Sequence, residues 1–195
     1  SPDYSDLIKA VPSLFITKFE TMGFSYVATL ERLQDLLKQM GKDPYAPIDA
    51  NTGFAACQRE GIGAMVVGRI TKADNVFAVD VKVLDVASKK SLASASSRGE
   101  GESSILLAQV DDLSAQIAQK LGSSAQIIAT AQPVSEVTTS SLEAYNYYLK
   151  GNEALDRFYG DDARRYFLKA IEIDPTFAMA YRGLARAYQF LWQVI

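Results

Sequence analysis

The carboxyl-terminal quarter of this chain matches itself at an offset of 34 residues: Ala144 falls on Ala178, Tyr147 on Tyr181 and Gly151 on Ala185. Between these positions runs Ala163-x3-Phe167-x2-Ala170-x4-Pro175. A repeat of this period constrains the fold strongly, because each unit hides its apolar face only by stacking on the next. Small residues at Gly151, Ala163, Ala170 and Ala185 let helices approach, and Tyr147, Phe167, Tyr181 and Tyr188 are placed to fill the layer between them. The pattern predicts helices over 142–158, 161–173 and 177–195. Gly160 is expected to end the first, Asp161 or Asp162 to cap the second, and Asp174-Pro175 to close the second and open the third.

These residues resemble the tetratricopeptide repeat, a 34-residue helix–turn–helix unit with aromatic, Leu-Gly, Ala, Phe and Pro signposts. The match runs over Tyr147, Gly151, Ala163, Phe167, Ala170 and Pro175, then over Tyr181, Leu184, Ala185 and Tyr188. It departs at Lys150, where the family usually has Leu, and at Ala154, where it often has Tyr, as suits a terminal unit. One full repeat and the first helix of the next are present.

On the first repeat helix Tyr145, Tyr148, Asn152 and Asp156 share a face distinct from the expected core face of Tyr147, Gly151 and Ala154. Placed by the resemblance, they line a concave groove that holds extended peptides or partner helices, with Met179, Arg182, Arg186 and Gln189 as the matching face of the last helix. Two arginines one turn apart suit a carboxylate or an acidic peptide. The competing reading has these residues touching further repeats or a second chain. The last helix is apolar almost all round, which no solvated end should be. It must dock on the amino-terminal domain, join a second copy or aggregate. The reading favours a homodimer through Tyr181, Leu184, Tyr188, Leu191, Trp192 and Ile195.

The segment before residue 122 reads as mixed α/β. Leu14, Phe15, Lys18, Phe19 and Met22 give helical spacing after Pro12, which suits a first turn, and Gly23 stops that helix. A short strand is expected at 24–28. Thr29 then caps an amphipathic helix through Leu30, Leu33, Leu36, Leu37 and Met40 that ends at Gly41. A small helix over 51–60 leads through Gly61-Ile62-Gly63 into a strand over 64–71. Phe77, Val79, Val81 and Val83 alternate with Ala78, Asp80 and Lys82, a strand with one buried face. A third strand, 92–98, is broken by Gly99 and Gly101, and a helix follows with Ile105, Leu106, Val110, Leu113, Ile117 and Leu121 inward. The fold class is α+β: a small sheet with an antiparallel three-stranded meander and helices on one face, then an all-α helix–turn–helix repeat segment.

The phrases Gly61-x-Gly63-Ala64-x-Val66-Val67-Gly68-x-Ile70 and Val81-x-Val83-Leu84-Asp85-Val86 resemble the amino-terminal module of TolB and of FlgO- and CsgG-like extracytoplasmic proteins, over roughly residues 5–121. The usual first strand of that module is not evident before residue 10, which would leave an open sheet edge and a second reason for copies to pair. Three segments follow: an α/β domain over 1–121, a hinge-like linker over 122–141 in which Ile127-Ile128 could pair as a strand, and repeats over 142–195. The combination resembles the non-catalytic sensor half of certain bacterial membrane proteins whose catalytic part is a kinase, a cyclase or a DNA-binding regulator. The resemblance implies a periplasmic location, with the cytoplasm left open.

Chemistry-bearing residues are sparse. The chain has 195 residues, a formal charge of −3 and no His, which removes imidazole acid–base chemistry, Ser-His-Asp systems and most metal sites, and gives no footprint for nucleic acid. Cys57, the one thiol, reads as a small buried hydrophobe. Gly61-x-Gly63-x4-Gly68 leads into a strand rather than the helix a phosphate loop needs. Gly99-Glu100-Gly101-Glu102 reads as a solvated turn and Asp111-Asp112 as a wet helix face. No stretch is long and apolar enough to span a membrane. No catalytic residue, cofactor or metal is assigned. The expected function is a non-catalytic protein–protein interaction or scaffolding module binding proteins or peptides; the alternative is a ligand-sensing domain that signals through the repeats.

Overall fold

The computed structural model describes residues 5–24, 26–46 and 48–193. They form two compact units, one of residues 12–132 and one of residues 133–195 together with the chain's first eleven. Helix α1 (Ser5–Thr21) contributes its first residues to the helical unit and the rest to the sheet unit. Pro12 therefore lies inside a helix, not at its start. The apolar spacing extends upstream through Leu7, Ala10 and Val11, all buried, and that continuity outweighs the missing proline N–H.

In the sheet unit, Thr29 caps α2 (Leu30–Gln39) by accepting from Arg32 N, and Asp49 caps α3 (Ala50–Arg59) by accepting from Thr52 N. Both are β-region caps that satisfy donors the first turn cannot. The residues expected as a strand at 24–28 are irregular where described, with Tyr26 exposed. Four or five β-prone residues hold no extended form without a neighbour to pair with.

Strands β1 (Ala64–Ala73), β2 (Val76–Asp85) and β3 (Ser91–Glu100) make an antiparallel meander in sequence order. Asp74, at φ 53°, turns β1 into β2 with Ala73 opposite Val76. Asp85 Oδ1 accepts from Ser88 N at 2.7 Å and from its Oγ at 2.6 Å, building the turn into β3. The ladder continues through Phe77 opposite Gly99 and Val76 opposite Glu100, so Gly99 does not break the strand; Gly101, at φ 73°, does. A register shift between Val83 and Leu84 leaves Leu92 unpaired and exposed.

Phe77, Val79, Val81 and Val83 are all buried, as a period of two demands of a half-covered sheet. A π-helical stretch, Ile105–Gln109, runs into α4 (Val110–Lys120), and Ile105, Leu106, Val110, Leu113 and Ile117 are fully buried. Leu121 is 40% exposed, because the helix has ended at the residue before it. The alternate positions Met65, Val67 and Leu84 gather with Phe54 and Cys57 of α3 and with Val86. Cys57, expected to be buried, is only half-buried at the edge of this cluster, and that partial burial pushes its thiol above the ordinary pKa. After α4, residues Ile127 and Ile128 lie in a short helix, α5 (Ala125–Thr130), not a strand. Ser124 caps it by accepting from Ile127 N, a local bond that precedes any pairing with a distant strand.

In the helical unit a single turn, α6 (Val134–Val137), precedes α7 (Leu142–Asp156), α8 (Gly160–Ile173) and α9 (Ala178–Gln193). Val134 and Thr139 are buried, so the residues just before α7 are packed rather than loose. The left-handed residue between α7 and α8 is Phe158, at φ 64°, and not Gly160, which is the first residue of α8. Gly160 is small for a packing reason: a Cβ there would stand 2.7 Å from Phe190 Cδ1 and 2.8 Å from Leu191 Cδ2. No side chain caps α8; Asp161 and Asp162 sit within its first turn and favour its dipole instead.

Candidate interaction surface

Ser141 caps α7 by accepting from Ala144 N at 3.1 Å. Thr139 Oγ1 accepts from Ser141 N and donates to Asp174 Oδ2 at 2.5 Å, tying the entry of α7 to the exit of α8. Asp174 Oδ1 in turn accepts from Thr176 N at 2.9 Å and Thr176 Oγ1 at 2.6 Å, which forms the corner into α9. The Thr139 hydroxyl, then that of Thr176, hold the Asp174 carboxyl below its ordinary pKa.

The three helices meet on Phe167. Its ring is fully buried between two glycines: a Cβ on Gly151 would lie 2.6 Å from Phe167 Cε1, and one on Gly183 2.7 Å from Cδ1 and Cζ. A flat ring between two bare backbones lets α7 and α9 both close on α8. Ala154, Ala163, Ala170, Ala180 and Ala187 complete the seam. Ala185, the residue expected in this seam, is exposed, and Gly183 has the role. A glycine inside an otherwise apolar helix costs about 1 kcal/mol against alanine, and that cost was the signal for it.

The expected groove does not assemble as one face. Tyr145 is 0% and Tyr148 8% exposed. Their rings pack on Phe177, at centroid distances of 6.3 and 5.3 Å, and Tyr148 also lies 6.0 Å from Phe167. Both are core residues and line no open groove. Tyr147, expected in the core, is only half-buried and meets Tyr166 at 6.4 Å. The cause is the second neighbour: α7 is covered by α8 and also by the segment that carries Phe177, so its buried arc widens towards Tyr145. Asn152 and Asp156 are half-buried, Met179 is half-buried, and Arg182, Arg186 and Gln189 are exposed on α9.

The apolar residues of α9 are divided. Leu184 and Leu191 are half-buried, Leu191 against Gly160, whereas Tyr181 is 48%, Tyr188 51% and Trp192 83% exposed. Ile195 lies outside the described residues. Tyr181, Tyr188 and Trp192 are spaced at i, i+7 and i+11, so they form one stripe, and Arg182 and Arg186 form a second stripe beside it. Tyr181 and Tyr188 do not fill the interhelical layer, which Phe167, Phe177, Tyr145 and Tyr148 occupy.

Acid–base and ligand chemistry is thin elsewhere. Asp111 is not simply a wet residue: its Oδ1 is 2.8 Å from Lys18 Nζ, whose side chain is 5% exposed and also donates to Gln132 O at 2.6 Å. That cluster ties α1 to α4 and to the backbone at Gln132. Asp112 is exposed. A depression of about 180 Å³ near Leu37, Asp43 and Asp49 is smaller than the roughly 300–1,000 Å³ of ligand sites. Among the described residues no group of three or more Cys, Asp or Glu side chains could hold a metal ion, and no helix is long and apolar enough to cross a membrane. No known protein family, no curated protein and no solved structure matches this chain.

Proposed function

We propose that this chain is a non-catalytic protein–protein interaction module, the sensor or adaptor part of a larger bacterial protein, in which a tetratricopeptide-like helical unit engages a protein or peptide. The observation that carries the reading is the aromatic stripe of α9. At the exposures of Tyr181, Tyr188 and Trp192, the three side chains leave on the order of 400 Å² of largely apolar surface to water. Contiguous patches of about 300–600 Å² on a monomer are commonly functional, and Tyr, Trp and Arg are the residue types enriched at binding hot spots.

The test is partner capture by the purified chain, each captured protein then being purified and its binding measured directly. Replacing Tyr181, Tyr188 and Trp192 together by Ser leaves the buried seam untouched. The reading requires that this variant lose the partners while keeping its helix content. Partners retained at wild-type affinity would refute it.

A further inference from the structure

The internal repeat indicates what covers the α9 stripe. On α7, Tyr147 meets Tyr166 of α8, and Gly151 receives the Phe167 ring. Thirty-four residues further along, Tyr181 and Ala185 hold the corresponding places on α9, and both are exposed. The face that α8 covers on α7 is therefore the face left open on α9. Its occupant should have the relief of α8, a small–x3–aromatic–x2–small seam as in Ala163, Phe167 and Ala170.

Charge sets the occupant apart from α8 itself. The sequence of α7 carries Glu143, Glu153 and Asp156 against one lysine, whereas α9 carries Arg182 and Arg186 and no acidic residue. A second α9 packed antiparallel would bring its arginine flank onto the same flank of the first, which like charges oppose. Resting on the interaction reading above, we propose that α9 docks an amphipathic helix of a partner protein that presents a small–aromatic–small seam and an acidic flank. Apolar contact with Tyr181, Tyr188 and Trp192 gives the affinity, and carboxylates facing Arg182 and Arg186 fix which partner and which flank.

Trp192 is the only tryptophan, so its emission reports on this face directly. The probe is a synthetic capped peptide with the sequence of residues 160–173, carrying Arg164→Glu, Arg165→Glu and Lys169→Glu, titrated into the chain. The proposal requires a saturable blue shift of Trp192 emission. Affinity should fall at least tenfold when the peptide also carries Phe167→Ala, and at least tenfold when the protein carries R182E and R186E. A lysine peptide, with the natural basic residues and Asp161→Lys, Asp162→Lys and Glu172→Lys, should bind at least tenfold more weakly than the acidic one. Equal response to the lysine peptide overturns the charge assignment. A blue shift produced by raising the chain's own concentration, with a dimer in sedimentation, overturns it in favour of a second copy. Silence of all peptides, with partner capture still abolished by the triple serine variant, overturns the helix identity while leaving the interaction reading intact. Silence with capture unaffected removes both.

Discussion

Gly183→Ala is the sharpest probe of how the helical unit is built, because the two physical terms have opposite signs. In an open helix position the change stabilises by about 1 kcal/mol, since alanine loses less backbone entropy. Here the new methyl would stand 2.7 Å from Phe167 Cδ1, roughly 1 Å inside ordinary contact, so the ring or α9 must move. The ring cannot step away, because Gly151 faces it from α7 with the corresponding methyl position only 2.6 Å from Cε1. Overpacking of a close-fitted core costs about 1–3 kcal/mol, and a ring blocked on both faces belongs at the upper end. The net result is a loss of about 1–2 kcal/mol. Urea unfolding with hydrogen exchange read separately over α7–α9 measures it without assuming that the chain unfolds in one step. In a Phe167→Leu background the clash is relieved and Gly183→Ala becomes neutral or stabilising, a coupling that a double-mutant cycle isolates. A Gly183→Ala variant more stable than wild type would show that Phe167 does not fill that gap.

Three further outcomes are expected. Asp111→Asn leaves the buried Lys18 ammonium without its carboxylate and should cost about 3 kcal/mol in the sheet unit, more than Lys18→Met, as paired urea unfolding curves would show; the reverse order refutes the pairing. Asp174, its pKa depressed first by Thr139 and then by Thr176, lends stability that is fully present above the ordinary carboxylate pKa and is lost as pH falls through its lowered value. Thr139→Val should raise the Asp174 pKa and move that acid loss to higher pH, followed by carboxyl NMR titration; an unmoved pKa would show that the hydroxyl is not the cause. Phe158→Gly relieves a left-handed bulky residue that is 77% exposed, at the expense of its ring contact with Phe190, and should stabilise the α7–α8 corner by about 0.5–1 kcal/mol in thermal unfolding. A destabilised Phe158→Gly would mean that the Phe190 contact outweighs the backbone strain.

Local chemistry and periodicity along the chain settle one part of this fold. Thr29 as a cap, the alternation from Phe77 to Val83, the strands of the meander, and the three helices with Asp174-Pro175 between the last two were all legible, because each depends on residues within a few positions of one another. So was the surplus of apolar residues on α9, which is a property of one helix. Which face of each helix has one neighbour and which has two depends instead on how the elements pack together. Tyr145 and Tyr148 are core because the segment carrying Phe177 closes a second side of α7, and Gly183 rather than Ala185 meets Phe167 because the face of α9 that closes on the ring is the one carrying Gly183. Lys18 is buried because Asp111 and the Gln132 carbonyl, about a hundred residues away along the chain, converge on its ammonium. A one-dimensional pattern fixes the direction in which a side chain leaves its own helix axis; what waits there is set by packing between elements, where the volume of one ring and the absence of one methyl choose the partner.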